Sequence, residues 1–167
     1  MTSKNKPYLG HCGCGYVKYQ VNSQPLVVHG CHCRDCQRQT GAAFAINALF
    51  VADKIELTQG EVNEIVMQTP SGKGQTISRC PLCQVALWSN YYMRGLRDKI
   101  RFLRVGTLED PSVFPPDVHI FTKSKLPWFE PPENQPMVDK FYAYGDILKP
   151  KQLSVLTKMF DELSAEK

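Results

Sequence analysis

Seven cysteines are the residues best suited to chemistry in this 167-residue chain, and all of them lie between positions 12 and 83. They form three groups: Cys12-Gly-Cys14, Cys31-His-Cys33-Arg-Asp-Cys36 and Cys80-Pro-Leu-Cys83. A two-residue spacer lets a tight turn aim both sulfurs at one ion. A one-residue spacer on extended chain points both side chains the same way. Soft thiolates select zinc among the common intracellular metals. An odd number of cysteines cannot pair completely as disulfides.

Cys31, Cys33 and Cys36 lie close enough in sequence to reach one ion together. That leaves Cys12, Cys14, Cys80 and Cys83 as two distant pairs that clamp a second ion. Four sulfurs make a closed structural site, whereas three protein ligands with an open fourth position are the pattern of catalytic zinc. The spacing therefore predicts two zinc ions per chain, one structural and one catalytic, with Cys31, Cys33 and Cys36 as the catalytic residues. Other divisions stay open at this level. Cys12, Cys14, Cys31 and Cys33 also suffice for a four-sulfur site, and His11, His29 or His32 could close the trio. His32 stands between two ligands, so its side chain is expected to point away from a metal that both neighbours face. A redox role for Cys33-x-x-Cys36 or Cys80-x-x-Cys83 is disfavoured, since no βαβ pattern surrounds either pair. Structural zinc contributes roughly 10–16 kcal/mol in apparent binding energy, against a whole-domain stability of about 5–15 kcal/mol. Such an ion can decide whether distant parts of the chain hold together.

The elements that must position these cysteines read as short strands. Val17, Tyr19 and Val21 alternate with Lys18 and Gln20, the period-two pattern of a half-buried strand. Similar runs occur at 45–50, 55–58, 65–69, 76–79, 85–90 and 100–105, with glycines between them. The fold class is therefore all-β or β-rich. Residues 1–9 are polar and read as a flexible lead-in, followed by one domain over 10–145. The proline-rich stretch 110–136 reads as ordered loop around one strand at 119–122, a disordered linker being the alternative. Residues 146–167 form a helical extension: beyond Pro150 the period changes, and Leu153, Leu156, Phe160 and Leu163 share one face of an amphipathic helix. That face either packs on the domain or makes a homodimer contact.

Composition limits the partners. Hydrophobic residues at 43% suffice for a core, and 22% charged residues argue against disorder of the whole chain. The net charge of +4 is too small, and too dispersed, to point to nucleic acid. No apolar run approaches the roughly 18 residues that span a bilayer. A soluble, cytoplasmic protein without nucleic-acid or membrane partners is expected.

The ordered set Gly10-His-Cys-Gly-Cys-Gly, Cys31-His-Cys-Arg-Asp-Cys36, Thr40-Gly-Ala-Ala-Phe44 and Cys80-Pro-Leu-Cys83 resembles the glutathione-dependent formaldehyde-activating enzyme family, the GFA / CENP-V zinc domain. Gly106-Thr-Leu108 and the run from Pro116 to Trp128 fit the same resemblance, which covers roughly 10–136. It implies a β-tent-like fold of antiparallel sheets around the two zinc sites, and carbon–sulfur lyase chemistry of the S-(hydroxymethyl)glutathione synthase type. The implied partners are a small thiol such as glutathione and an aldehyde such as formaldehyde. Family members differ in substrate, so the reaction class transfers better than the named reaction. Where the family has glycine after the last cysteine, this chain has Gln84. Candidate substrate contacts are Arg34, Arg38, Phe44, His119 and Trp128: two cations for carboxylates, two aromatic walls and one acid–base group. For each, an ordinary role is the competing reading, as solvated arginines, core aromatics or a buried histidine. A zinc-stabilised binding module, or a thiol carrier without turnover, is the competing function.

Overall fold

The computed structural model describes residues 6–92 and 95–165. In chain order its strands are β1 (Tyr8–His11), β2 (Lys18–Val21), β3 (Val27–Cys31), β4 (Ala45–Val51), β5 (Ile55–Gln59), β6 (Asn63–Met67), β7 (Gln75–Arg79), β8 (Ala86–Tyr91), β9 (Ile100–Arg104) and β10 (Val118–Ile120). Its helices are α1 (Arg34–Thr40), α2 (Tyr144–Ile147) and α3 (Pro150–Ala165). A small antiparallel sheet runs β1-β2-β5, and a larger one runs β10-β3-β4-β9-β8-β7-β6. The larger sheet is antiparallel throughout except where β10 joins β3 in parallel. The β-rich class is thus the observed one, with a C-terminal helix.

The two faces of the large sheet do different work. On one, Val28, Ala48, Leu103 and Trp88 pack with Tyr19, Val21 and Ile55 of the small sheet to form the main core. Tyr19 meets Trp88 edge to face at 5.8 Å, and its hydroxyl bonds Thr107 Oγ1 at 2.6 Å. On the other face, Val27, Leu49 and Ile100 are covered by α3 through Leu156 and Met159. Burying those two helix side chains is worth on the order of 3–6 kcal/mol. The helix begins at Pro150, as its period predicts, and packs on its own domain. Beyond the helix's cover, the second face stays open as a cavity.

Three elements differ from the expectation. Strand β1 begins at Tyr8, inside the stretch read as a loose lead-in, and pairs with β2. Strand β3 shows no alternation because all five residues are buried, with Val28 toward the core and His29 and Cys31 toward the cavity. A strand covered on both faces loses the period that reveals it. Helix α1 has seven residues, too few to display a helical period. The proline-rich stretch is ordered: the His119 N–H donates to the Pro136 carbonyl, and the Val138 N–H to the His119 carbonyl. Its strand is β10, which stops at Ile120 because Phe121 takes a left-handed conformation at φ 56°. Among the described residues, no helix is long and apolar enough to cross a membrane.

Candidate functional site

The four sulfurs of Cys12, Cys14, Cys80 and Cys83 converge at the join between the two sheets. Cys12 and Cys14 lie in the β1–β2 turn, and Cys80 and Cys83 in the β7–β8 turn. The two turns are built alike. The Cys12 N–H donates to the Val17 carbonyl and the Cys80 N–H to the Val85 carbonyl, each closing a small loop around its sulfurs. Backbone N–H groups of Val17 and Cys83 approach the sulfurs of Cys12 and Cys80 at 3.3 and 3.5 Å. The Cys12–Cys14 and Cys14–Cys80 sulfur separations are 3.5 and 3.8 Å. Four sulfurs at about 2.3 Å from a tetrahedral zinc stand about 3.8 Å apart, so the cluster fits such an ion. Gln84, where the family has glycine, keeps the turn by adopting φ 61°. Its N–H reaches the Cys80 carbonyl at 3.0 Å, and its side-chain amide donates to the Pro81 carbonyl.

Cys31, Cys33 and Cys36 form the second cluster, and no histidine or carboxylate among the described residues joins it. Cys31 ends β3, Cys33 caps α1 and Cys36 lies in its first turn. The Cys33 sulfur accepts the Cys36 N–H at 3.3 Å, so the cap of α1 is itself a candidate ligand. Hydrogen bonds from Cys31 and Cys36 hold the Cys33 thiol down to about 2. Hydrogen bonding to Cys33 and Cys36, with burial, pushes the Cys31 thiol up. Three adjacent thiols oppose one another's ionisation, an opposition that a divalent ion among them would relieve. Both clusters are consistent with zinc, and all seven cysteines are free of disulfides.

The trio opens on a cavity of about 340 Å³. Its floor is the open face of the large sheet, where strand register sets His29, Asn47 and Arg104 side by side on β3, β4 and β9. Phe102 and Ser89 continue that floor across β9 and β8, and Phe121 and Phe141 wall it from the other side. His29 donates to or accepts from the Tyr142 hydroxyl at 2.6 Å and is 1% exposed. Burial pushes its imidazole down to about 3, so it is neutral at physiological pH.

None of the five expected substrate contacts lines this cavity. Arg34 and Arg38 are exposed on α1, and Arg34 turns back to Gln37. Trp128 is 71% exposed. Its neighbour Phe129 is the packed aromatic, its ring tilted against those of His32, Phe44 and His119 at centroid distances of 5.2, 4.7 and 5.6 Å. Phe44 belongs to that cluster, and His119 is buried at its centre. His119 Nδ1 contacts His32 Nε2 at 2.8 Å and its Nε2 contacts Gln135 Oε1 at 2.7 Å, so both ring nitrogens are engaged within the structure. His32 points into this cluster, as its position between two ligands implies. Among the described residues, the cavity's cations are Arg104 and Lys73 instead. Arg104 left one signal in the sequence: it falls in phase with Ile100 and Phe102 on a strand face that is otherwise apolar. Lys73 lies in a glycine-flanked turn and left none.

A family model described as glutathione-dependent formaldehyde-activating enzyme matches residues 7–124. A solved structure titled only as a Rhodobacter sphaeroides protein is similar at 21% identity and a TM-score of 0.46, covering 60% of this chain and 87% of that one. No curated protein matches the chain. The chain belongs to the glutathione-dependent formaldehyde-activating enzyme family.

Proposed function

We propose that this family member is a zinc-dependent carbon–sulfur lyase that forms or cleaves a thiol–aldehyde adduct such as S-hydroxymethylglutathione. The observation that carries the reading is the three-cysteine cluster at the wall of a cavity, with no fourth protein ligand among the described residues. Cys31, Cys33 and Cys36 would hold the zinc, which when bound supplies Lewis acidity that keeps a coordinated thiol deprotonated. That matters because a free thiol, with a pKa near about 8.5, is only a few per cent ionised at neutral pH. Cys12, Cys14, Cys80 and Cys83 would hold the structural ion.

The remaining work falls to the chain. Arg104 and Lys73 place positive charge in the cavity wall, which suits a thiol that carries carboxylates, as glutathione does. Phe102, Phe121 and Phe141 keep water from the sulfur and leave an apolar surface for the carbonyl compound. Adduct formation makes one carbon–sulfur bond, and the proton lost by the thiol ends on the aldehyde oxygen; cleavage reverses both changes.

Proton exchange NMR on glutathione and formaldehyde tests this. The chain should speed interconversion of free and hydroxymethylated thiol, and Cys31→Ser should remove the effect while circular dichroism stays unchanged. Equal interconversion with and without the chain, across several thiol–aldehyde pairs, would contradict the enzyme reading. Thiol binding without faster exchange would mark a carrier.

A further inference from the structure

Arg104 is a buried cation with no carboxylate beside it among the described residues. Its residue is 9% exposed. One terminal nitrogen of its guanidinium donates to Asn47 Oδ1 and the other to Gln39 Oε1 at 3.1 Å, while its buried Nε has no hydrogen-bond partner. The Gln39 amide in turn donates to Asp35 Oδ2 at 3.1 Å, so the nearest carboxylate in this chain of bonds stands one amide away. A guanidinium this deeply buried is costly unless an anion balances it.

The anion available on the same wall is the cysteine trio. Three thiolates around a divalent ion sum to −1, and a thiolate as fourth ligand makes −2. The other charges lining the cavity are Asp35 and Lys73, one of each sign, so they add nothing to its net charge. Among the described residues that line the cavity, Arg104 is therefore the one charge left to oppose the site. Its position is fixed from two sides: Asn47 is its register partner on β4, and Gln39 reaches it from α1, the helix that carries Cys36. A planar fork can bridge those two acceptors at once, which an ammonium cannot do with the same geometry.

We propose that Arg104 is the counter-charge of the three-cysteine site, a positioning residue that sets its affinity for an anionic fourth ligand. The proposal rests on reading the trio as a thiol-binding metal site. It answers an electrostatic difficulty in that reading, since three thiolates alone oppose the approach of a fourth.

Cobalt(II) in place of zinc makes the test optical. Wild type and Arg104→Met are titrated with 2-mercaptoethanol, which binds as an anion, and with imidazole, which binds neutral. Loss of Arg104 should weaken mercaptoethanol by about 10- to 100-fold, the range for one charge-assisted contact, and leave imidazole unchanged. Arg104→Lys should restore most of the thiol affinity. Equal weakening of both ligands would show that Arg104 only braces α1 against the sheet, and no weakening of either would show that it is idle; both outcomes overturn the proposal. If methionine unfolds the chain, seen as loss of the cobalt bands of the four-cysteine site, Arg104→Gln repeats the comparison with a donor toward Asn47 retained. A wild type that binds neither ligand at the trio overturns the reading of the site, and the proposal with it. A wild type that binds both, with a variant indistinguishable from it, overturns the proposal alone.

Discussion

Replacing one cysteine in each cluster with serine should separate the two clusters by stability. Cys14 and Cys80 stand 66 residues apart in sequence with their sulfurs 3.8 Å apart. An ion shared by them closes a 66-residue loop, and a cross-link of that length contributes about 4 kcal/mol through lost unfolded-chain entropy. Cys31 and Cys36 are 36 − 31 = 5 residues apart, and closing so short a loop contributes about 2 kcal/mol. The structure widens the gap. The four-cysteine site ties the small sheet to the large one, whereas Cys31 and Cys36 sit on consecutive elements held by other bonds. Gln37 alone donates from one amide to the carbonyls of His32 and Ser124, at 2.8 and 2.9 Å. A domain has only about 5–15 kcal/mol to lose. Cys80→Ser should therefore cost about 4 kcal/mol or more, a large share of the whole, and Cys36→Ser should cost about 2 kcal/mol or less. Guanidinium titrations followed by fluorescence of the buried Trp88 measure the difference, and native mass spectrometry should show each variant one ion short of two. A Cys36→Ser variant as unstable as Cys80→Ser would refute the division into a structural and an open site.

Three further outcomes follow from particular contacts. A Cβ at Gly30 would stand 2.5 Å from His119 Nδ1, so Gly30→Ala should force His119 off His32, shift the adjacent Cys31 and cost about 1–3 kcal/mol, as overpacking does; a denaturation midpoint equal to wild type would contradict this. Gln84→Gly should be neutral or stabilising by up to about 1 kcal/mol, since it relieves a left-handed residue at some cost in unfolded-chain entropy, and a clear loss of stability would mean that the side-chain bond to Pro81 matters more than the backbone. Burial raises the Tyr19 phenol above its ordinary value near 10, against a smaller opposing effect from Thr107; the folded chain therefore holds that proton when the unfolded chain releases it, stability is full below pH 10 and falls as pH rises beyond, by about 1.4 kcal/mol at pH 11. Tyr19→Phe should remove that share of the alkaline loss, read as the change in unfolding free energy between pH 9 and 11.

The sequence made the two cysteine clusters legible because thiols are rare and their spacing is chemically specific: the 4 + 3 grouping read from Cys12 to Cys83 is the one the structure brings together. Most strands were legible for a similar reason, since a sheet with one wet face imposes period two, as at Val17–Val21. The exceptions are physical. The five residues of β3 are buried on both faces and α1 is too short for a period, yet these two elements carry the trio. The cavity wall was not legible. Proximity in sequence suggested Arg34 and Arg38, but a helix beginning at Arg34 turns both outward. Arg104 arrives from 68 residues beyond Cys36 by strand register alone, and no local pattern carries β4–β9 pairing. The aromatic cluster shows the same limit at finer grain. Phe129 packs and Trp128 does not, a difference of one residue set by the loop's path.

In the proposed reaction the trio offers its fourth position to a substrate sulfur. Anomalous diffraction at the zinc edge, on crystals with and without glutathione, tests it most directly. Two ions are expected, one ringed by Cys12, Cys14, Cys80 and Cys83 in both crystals, the other on Cys31, Cys33 and Cys36 gaining a glutathione sulfur in the second. A fourth ligand from the protein at the trio, unchanged when glutathione is present, would contradict it.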